Sequence, residues 1–109
     1  MSDIVIVSAA RTPVGSFSGA LSSLTAAQLG SVALSAAFQR AGVDAADVDE
    51  VIIGQVLAAG EGQNPARKAA REAGLPDSKT AFGINQVCGS GLRAVALAAQ
   101  QIMSGESAI

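Results

Sequence analysis

The chain has 109 residues, half of them apolar, and a formal net charge of −2, which provides for one small packed domain and argues against a disordered polypeptide. Its seven Lys and Arg are scattered along the sequence, so neither nucleic acid nor an anionic membrane surface is expected as a partner. Three Phe and no Trp or Tyr leave the interior to small side chains and predict close packing between layers.

The opening Met1-Ser2-Asp3 carries no basic stretch, and the apolar run after it is short, so it reads as neither a signal peptide nor a transit sequence. Nothing in the chain approaches the roughly 18 consecutive apolar residues of a membrane span. Ile4 to Ser8 is apolar and β-branched, and Arg11-Thr12-Pro13-Val14-Gly15 ends it; the pattern predicts a strand buried on both faces, hence a parallel sheet. Ser16 to Ser23 has no period and reads as a loop.

Thr25 stands at a helix N-cap with Gln28 as its capping-box partner, and Leu24 and Leu29 flank it at the staple positions. The helix is predicted to run to Arg40, with Gly42 as its left-handed cap. Asp44 to Asp47 suits a short further turn. Val51 to Leu57 reads as a second buried strand, followed by the Gly-rich turn 59–63. That turn lacks the Lys of a phosphate-binding loop. Asn64 as N-cap and Pro65 at the first helical position open a second helix that ends at Gly74 before Pro76. Arg11 and Arg67 are expected in ion pairs of a surface or interface, not on a substrate.

A third strand from about Thr80 to Val87 leads into Cys88-Gly89-Ser90-Gly91, and a last helix from about Ser90 to Ser104 closes at Gly105. Ser107-Ala108-Ile109 has the look of the start of a fourth strand. The order β-α-β-α-β-α predicts an α/β fold, a parallel or mixed sheet covered by helices. The last helix carries Leu92, Val95, Ala96, Ala98, Ala99, Ile102 and Met103 all the way round, which predicts burial on every side and a second covering layer, from more of the same polypeptide or from a partner.

Cys88 is the only cysteine, so an intrachain disulfide is excluded, in keeping with a reducing cytoplasm. It stands where a buried strand meets a helix, the place at which open α/β sheets hold ligands. A helix N-terminus presents unpaired N–H groups and a positive dipole end, which favour a thiolate and can hold the oxygen of a tetrahedral intermediate. Gly89 and Gly91 remove Cβ atoms from the path of a substrate. Position alone leaves a second reading open, a small buried hydrophobe beside a Gly-rich turn. The chain has no His, so it supplies no Cys/His pair. Alone it is expected to be inactive.

Three blocks in order, Ile4 to Gly15, Gly62-Gln63-Asn64-Pro65-Ala66-Arg67, and Asn85-Gln86-Val87-Cys88-Gly89-Ser90-Gly91-Leu92-Arg93-Ala94-Val95, resemble the thiolase family, and the resemblance runs in register through nearly the whole chain. It is nearest to the bacterial biosynthetic members, which make acetoacetyl-CoA; the degradative 3-ketoacyl-CoA thiolases share the nucleophile block. The resemblance implies a layered α-β-α-β-α fold of which residues 1–109 are an incomplete N-terminal domain, with the C-terminal half absent. It implies Cys88 as the acylated nucleophile, its backbone N–H as an oxyanion donor, coenzyme A thioesters as substrates and no permanently bound cofactor or metal. The activating His, a second catalytic Cys and most coenzyme A contacts would lie in later segments, and a homodimer or homotetramer is implied. Ketoacyl and hydroxymethylglutaryl-CoA synthases are the competing enzymes, which the Cys-Gly-Ser-Gly context disfavours. A non-catalytic structural or oligomerisation module, or a regulatory thiol protein, is the alternative of another class.

Overall fold

The structure, a computed structural model, describes residues 3–109; the Met1-Ser2 pair considered above lies outside them. Local chemistry sets the helix ends. Helix α1, Ala26–Ala41, starts where the Thr25 hydroxyl accepts from the Gln28 N–H at 3.1 Å and the Gln28 side chain accepts from the Thr25 N–H at 2.8 Å, so two donors that a helix start leaves unpaired are satisfied reciprocally. A 3₁₀ turn at Ala45–Asp47 follows, capped by the Asp44 carboxylate. Strand β1 is Glu50–Gly54, helix α2 Pro65–Glu72, strand β2 Thr80–Ile84 and helix α3 Ser90–Met103.

All three helices end alike. Gly42, Gly74 and Gly105 have φ of 66°, 100° and 81°, and the residue after each returns its N–H to the helix: Val43 to Phe38, Leu75 to Ala70 and Glu106 to Gln101. This is the Schellman closure, which reverses the chain while pairing carbonyls that would otherwise be orphaned.

Strands β1 and β2 pair in parallel, with Glu50 opposite Thr80 and Gly54 opposite Ile84, and α2 makes the crossover between them. Alternation along β1 distributes the layers. Val51 points towards α1 and α2 and joins Val48, Ala70 and Leu75 in a core completed by Leu34 and Phe38. Glu50, Ile52 and Gly54 point the other way, towards α3: Ile52 faces Ala98 and Ile102, and a Glu50 carboxylate oxygen accepts from the Gln101 amide at 2.9 Å. The chain is thus an α/β layered structure, as expected, with the sheet between α1 and α2 on one side and α3 on the other.

Two expectations need correction. Residues 4–8 form no strand: the segment makes no ladder, Ile6 is 78% exposed, and contact with α1 comes through the Ser8 hydroxyl on the Ala37 carbonyl and the Arg40 guanidinium on the Ala9 carbonyl. A β-branched run has strand propensity, but a strand also requires a neighbour for its backbone groups. For helix α3 the chain itself supplies no second covering layer, as expected. Ala94 is buried against the sheet, whereas Leu92 is 79% and Val95 50% exposed, because two strands cover only one side of it. Residues 107–109 form no strand; the Asp49 N–H donates to the Ile109 carbonyl at 2.8 Å, and the Asp49 carboxylate accepts from the N–H groups of Ala108 and Ile109.

Candidate active site

Between the end of β2 and the start of α3 the chain turns through Asn85-Gln86-Val87-Cys88-Gly89, and side chains of the turn itself fix its shape. The Asn85 side-chain oxygen accepts from the Val87 N–H at 2.9 Å, and the Gly89 N–H donates to the Gln86 carbonyl at 3.0 Å. The Ser90 hydroxyl accepts from the Gln86 N–H at 2.9 Å and donates to the Val87 carbonyl at 2.6 Å. Ser90 is only 4% exposed, so these bonds form away from water, where their loss is most costly.

Val87 is held at φ 48°. For a β-branched residue this left-handed conformation is a true outlier, at a cost of about 1–3 kcal/mol, and it persists only where the surroundings over-determine it. The result is a sharp bend that leaves Cys88 exposed immediately before α3. The helix opens at Gly89 with no side-chain cap; the Ser90 N–H is taken by the Val87 carbonyl, and among the described residues those of Gly91 and Leu92 in the first turn have no acceptor, so they and the positive dipole end remain available to an incoming oxygen. The Cys88 N–H has no acceptor among the described residues. A Cβ built on Gly91 would meet nothing within 4 Å, consistent with open access to the first turn. Within residues 3–109 Cys88 is thus not buried.

Close approach of backbone to backbone seats this turn on the sheet. A Cβ on Gly54, the last residue of β1, would lie 2.5 Å from the Ser90 carbonyl carbon and 2.7 Å from the Gly91 nitrogen, far inside van der Waals contact. Only glycine allows α3 to begin there. A cleft of about 410 Å³ opens at the carboxyl ends of both strands, lined by Gln55, Asn64, Pro65, Phe82 and Asn85 among others. It reaches the start of the turn, but Cys88 does not line it.

Sequence reasoning places Cys88 at this junction and leaves Val87, Ser90 and Gly54 unremarked; the one available cue was Asn85, whose spacing to Val87 suits a side-chain-to-backbone turn. Among the described residues Arg67 forms no ion pair: its guanidinium grips the carbonyls of Asp77 and Lys79 and so fixes the link from α2 to β2. Arg11 contacts the Thr12 carbonyl. Among the described residues no group of three His, Cys, Asp or Glu side chains converges as a metal site, and no helix is long and apolar enough to cross a membrane.

Fold and site together define an α/β protein that presents an exposed thiol at the carboxyl end of a parallel strand. The chain belongs to the thiolase family: the profile of the thiolase N-terminal domain matches residues 4–109. It is 64% identical over 106 residues to an acetyl-CoA acetyltransferase of Rhizobium meliloti (strain 1021), covering 97% of this chain and 27% of that protein. It is 60% identical over 109 residues to the acetyl-CoA acetyltransferase of Cupriavidus necator, covering 100% and 28%. Among solved structures it matches an acetyl-CoA acetyltransferase from Syntrophomonas wolfei with a TM-score of 0.91 at 41% identity, over 94% of this chain and 26% of that one. The Acat5 thiolase from Ascaris suum in complex with coenzyme A gives a TM-score of 0.90 at 41% identity, over 92% and 26%. The chain thus spans about a quarter of the length of the relatives it matches.

Proposed function

We propose that these residues are the nucleophile-bearing N-terminal part of an acetyl-CoA acetyltransferase, which joins two acetyl-CoA molecules into acetoacetyl-CoA and free CoA. The observation that carries this reading is an exposed Cys88 at the uncapped start of α3, within a chain of the thiolase family. The names of the relatives favour an acetyl unit over the longer chains of the degradative enzymes.

Cys88, as thiolate, attacks the thioester carbonyl of acetyl-CoA; the tetrahedral intermediate collapses, the C–S bond to CoA breaks, and acetyl-Cys88 forms with release of CoA thiolate. One thioester replaces another, so the step is close to thermoneutral. A second acetyl-CoA gives an α-proton to a base, and its carbon attacks the acetyl carbonyl. A C–C bond forms, and the C–S bond to Cys88 breaks to regenerate the thiolate. In both steps the Cys88 N–H faces the developing oxyanion, with the open helix end behind it. The 109 residues hold no His, and the base comes from outside them. The working protein is a homodimer or homotetramer in the cytoplasm, with CoA thioesters as substrates and the remaining thiolase polypeptide supplying the second half of the site.

Peptide mass spectrometry of the full-length protein after incubation with acetyl-CoA is expected to find the acetyl group on Cys88. Replacement Cys88→Ala is expected to lower condensation on the order of a thousandfold or more. Acetylation elsewhere, or undiminished turnover in the variant, would remove the mechanism.

A further inference from the structure

Ser90 has a place in the site that its position as an ordinary first helical residue would not suggest. Its hydroxyl hydrogen-bonds the Gln86 N–H at 2.9 Å and the Val87 carbonyl at 2.6 Å, and its own N–H also donates to the Val87 carbonyl at 3.1 Å. One residue thus pins that carbonyl twice. The Val87 carbonyl and the Cys88 N–H belong to the same peptide group, which is planar and trans, so the two point in opposite directions. Anchoring the oxygen towards Ser90 turns the Cys88 N–H away from the first turn of the helix.

The alternative arrangement is the one the backbone prefers. Relaxation of Val87 from φ 48° to the ordinary negative region would rotate this peptide and move the N–H from its direction. The hydroxyl has no other partner among the described residues, and Gly54 lets Ser90 sit against the sheet, where water does not compete for it.

We propose that Ser90 is a positioning residue: through its buried hydroxyl it holds the strained Val87 conformation and thereby aims the Cys88 N–H at the oxygen of the acyl group under attack. This rests on the acyl-transfer reading of Cys88. Ser90 itself touches neither substrate nor the reacting atoms.

The test compares wild-type, Ser90→Ala and Val87→Gly/Ser90→Ala forms of the full-length protein by single-turnover acetyl transfer from acetyl-CoA to Cys88, alkylation of Cys88 by iodoacetamide, and thermal melting. Ser90→Ala is expected to slow acetyl transfer by roughly ten- to a hundredfold, at the lower end of the loss of an oxyanion donor or below it. Alkylation develops no comparable oxyanion and is expected to stay within about threefold, while the melting temperature falls by a few degrees with the loss of the buried hydroxyl's two bonds. Glycine adopts the left-handed conformation without strain, and the residue 90 N–H still holds the carbonyl, so the double variant is expected to return to within about fivefold of wild type. Transfer unchanged in Ser90→Ala, a fall in alkylation as large as the fall in transfer, or no recovery in the double variant would each overturn the positioning role while leaving Cys88 as nucleophile. A wild type that acquires no acetyl group on Cys88 would overturn the acyl-transfer reading and the role of Ser90 with it.

Discussion

Asp49 joins separate stretches of the chain through one carboxylate. It accepts from the Ala108 and Ile109 N–H groups at 2.7 and 3.2 Å and lies 3.5 Å from the Lys79 ammonium. The Ala108 N–H, then the Ile109 N–H, and more weakly the Lys79 charge hold its pKa below the ordinary 3.8 against a small opposing effect of burial, because each stabilises the ionised form. A depressed carboxylate adds stability that is complete above its unfolded value and is lost as pH falls through its lower folded value. In the full-length protein the melting temperature of wild type relative to Asp49→Asn should therefore hold steady above about pH 5 and decline as pH drops below the ordinary carboxylate range. A difference that stays flat throughout the acid limb would show that the carboxylate is unpaired in solution.

Among the elements, helices were legible in the sequence because their punctuation is local. Thr25 with Gln28, Asn64 with Pro65, and Gly42, Gly74 and Gly105 act through neighbours a few positions away, and each stands where it was expected. Strands were less legible. Ile4 to Ser8 has the composition of a strand and no partner, since pairing is decided by segments distant in sequence. The turn before α3 lay between these cases: Cys88 was expected at the junction, but the left-handed conformation of Val87 at φ 48° was not, because a β-branched residue gives no sequence signal for it. A contact such as that of Gly54 with Ser90, 36 positions apart in number, leaves no local trace. The Schellman closure of α2 permits a direct check. Gly74 at φ 100° delivers Leu75 into the core, so Gly74→Ala in the full-length protein should cost about 1 kcal/mol or more, read as a lower denaturant midpoint at unchanged slope. An unchanged midpoint would mean that Leu75 reaches the core without the left-handed turn.

At the scale of the whole molecule, surface exceeds what a chain this small ordinarily leaves in water. Its accessible area is 7248 Å², against roughly 5,500 Å² for a compact monomer of this mass. The excess is apolar in large part, from the Ile6 region and from Leu92, Val95 and Met103 of α3. The core is built mainly of alanine, with no large side chain fully buried, so hydrophobic stabilisation is modest. The 109-residue polypeptide by itself should accordingly bind a hydrophobic dye and melt without a sharp transition. A cooperative calorimetric peak at monomer concentrations would contradict that expectation.

The contact of Gly54 with the first turn of α3 also limits how the thiol responds to its reaction partner. With main chain resting on main chain, no side chain between them can bend or change rotamer, so the sheet acts as a rigid stop behind the helix. In the acyl transfer proposed for Cys88, a carbonyl carbon driven to bonding distance of the sulfur would find no room for the helix start to recoil, and the shortening of that gap would fall on the incoming molecule.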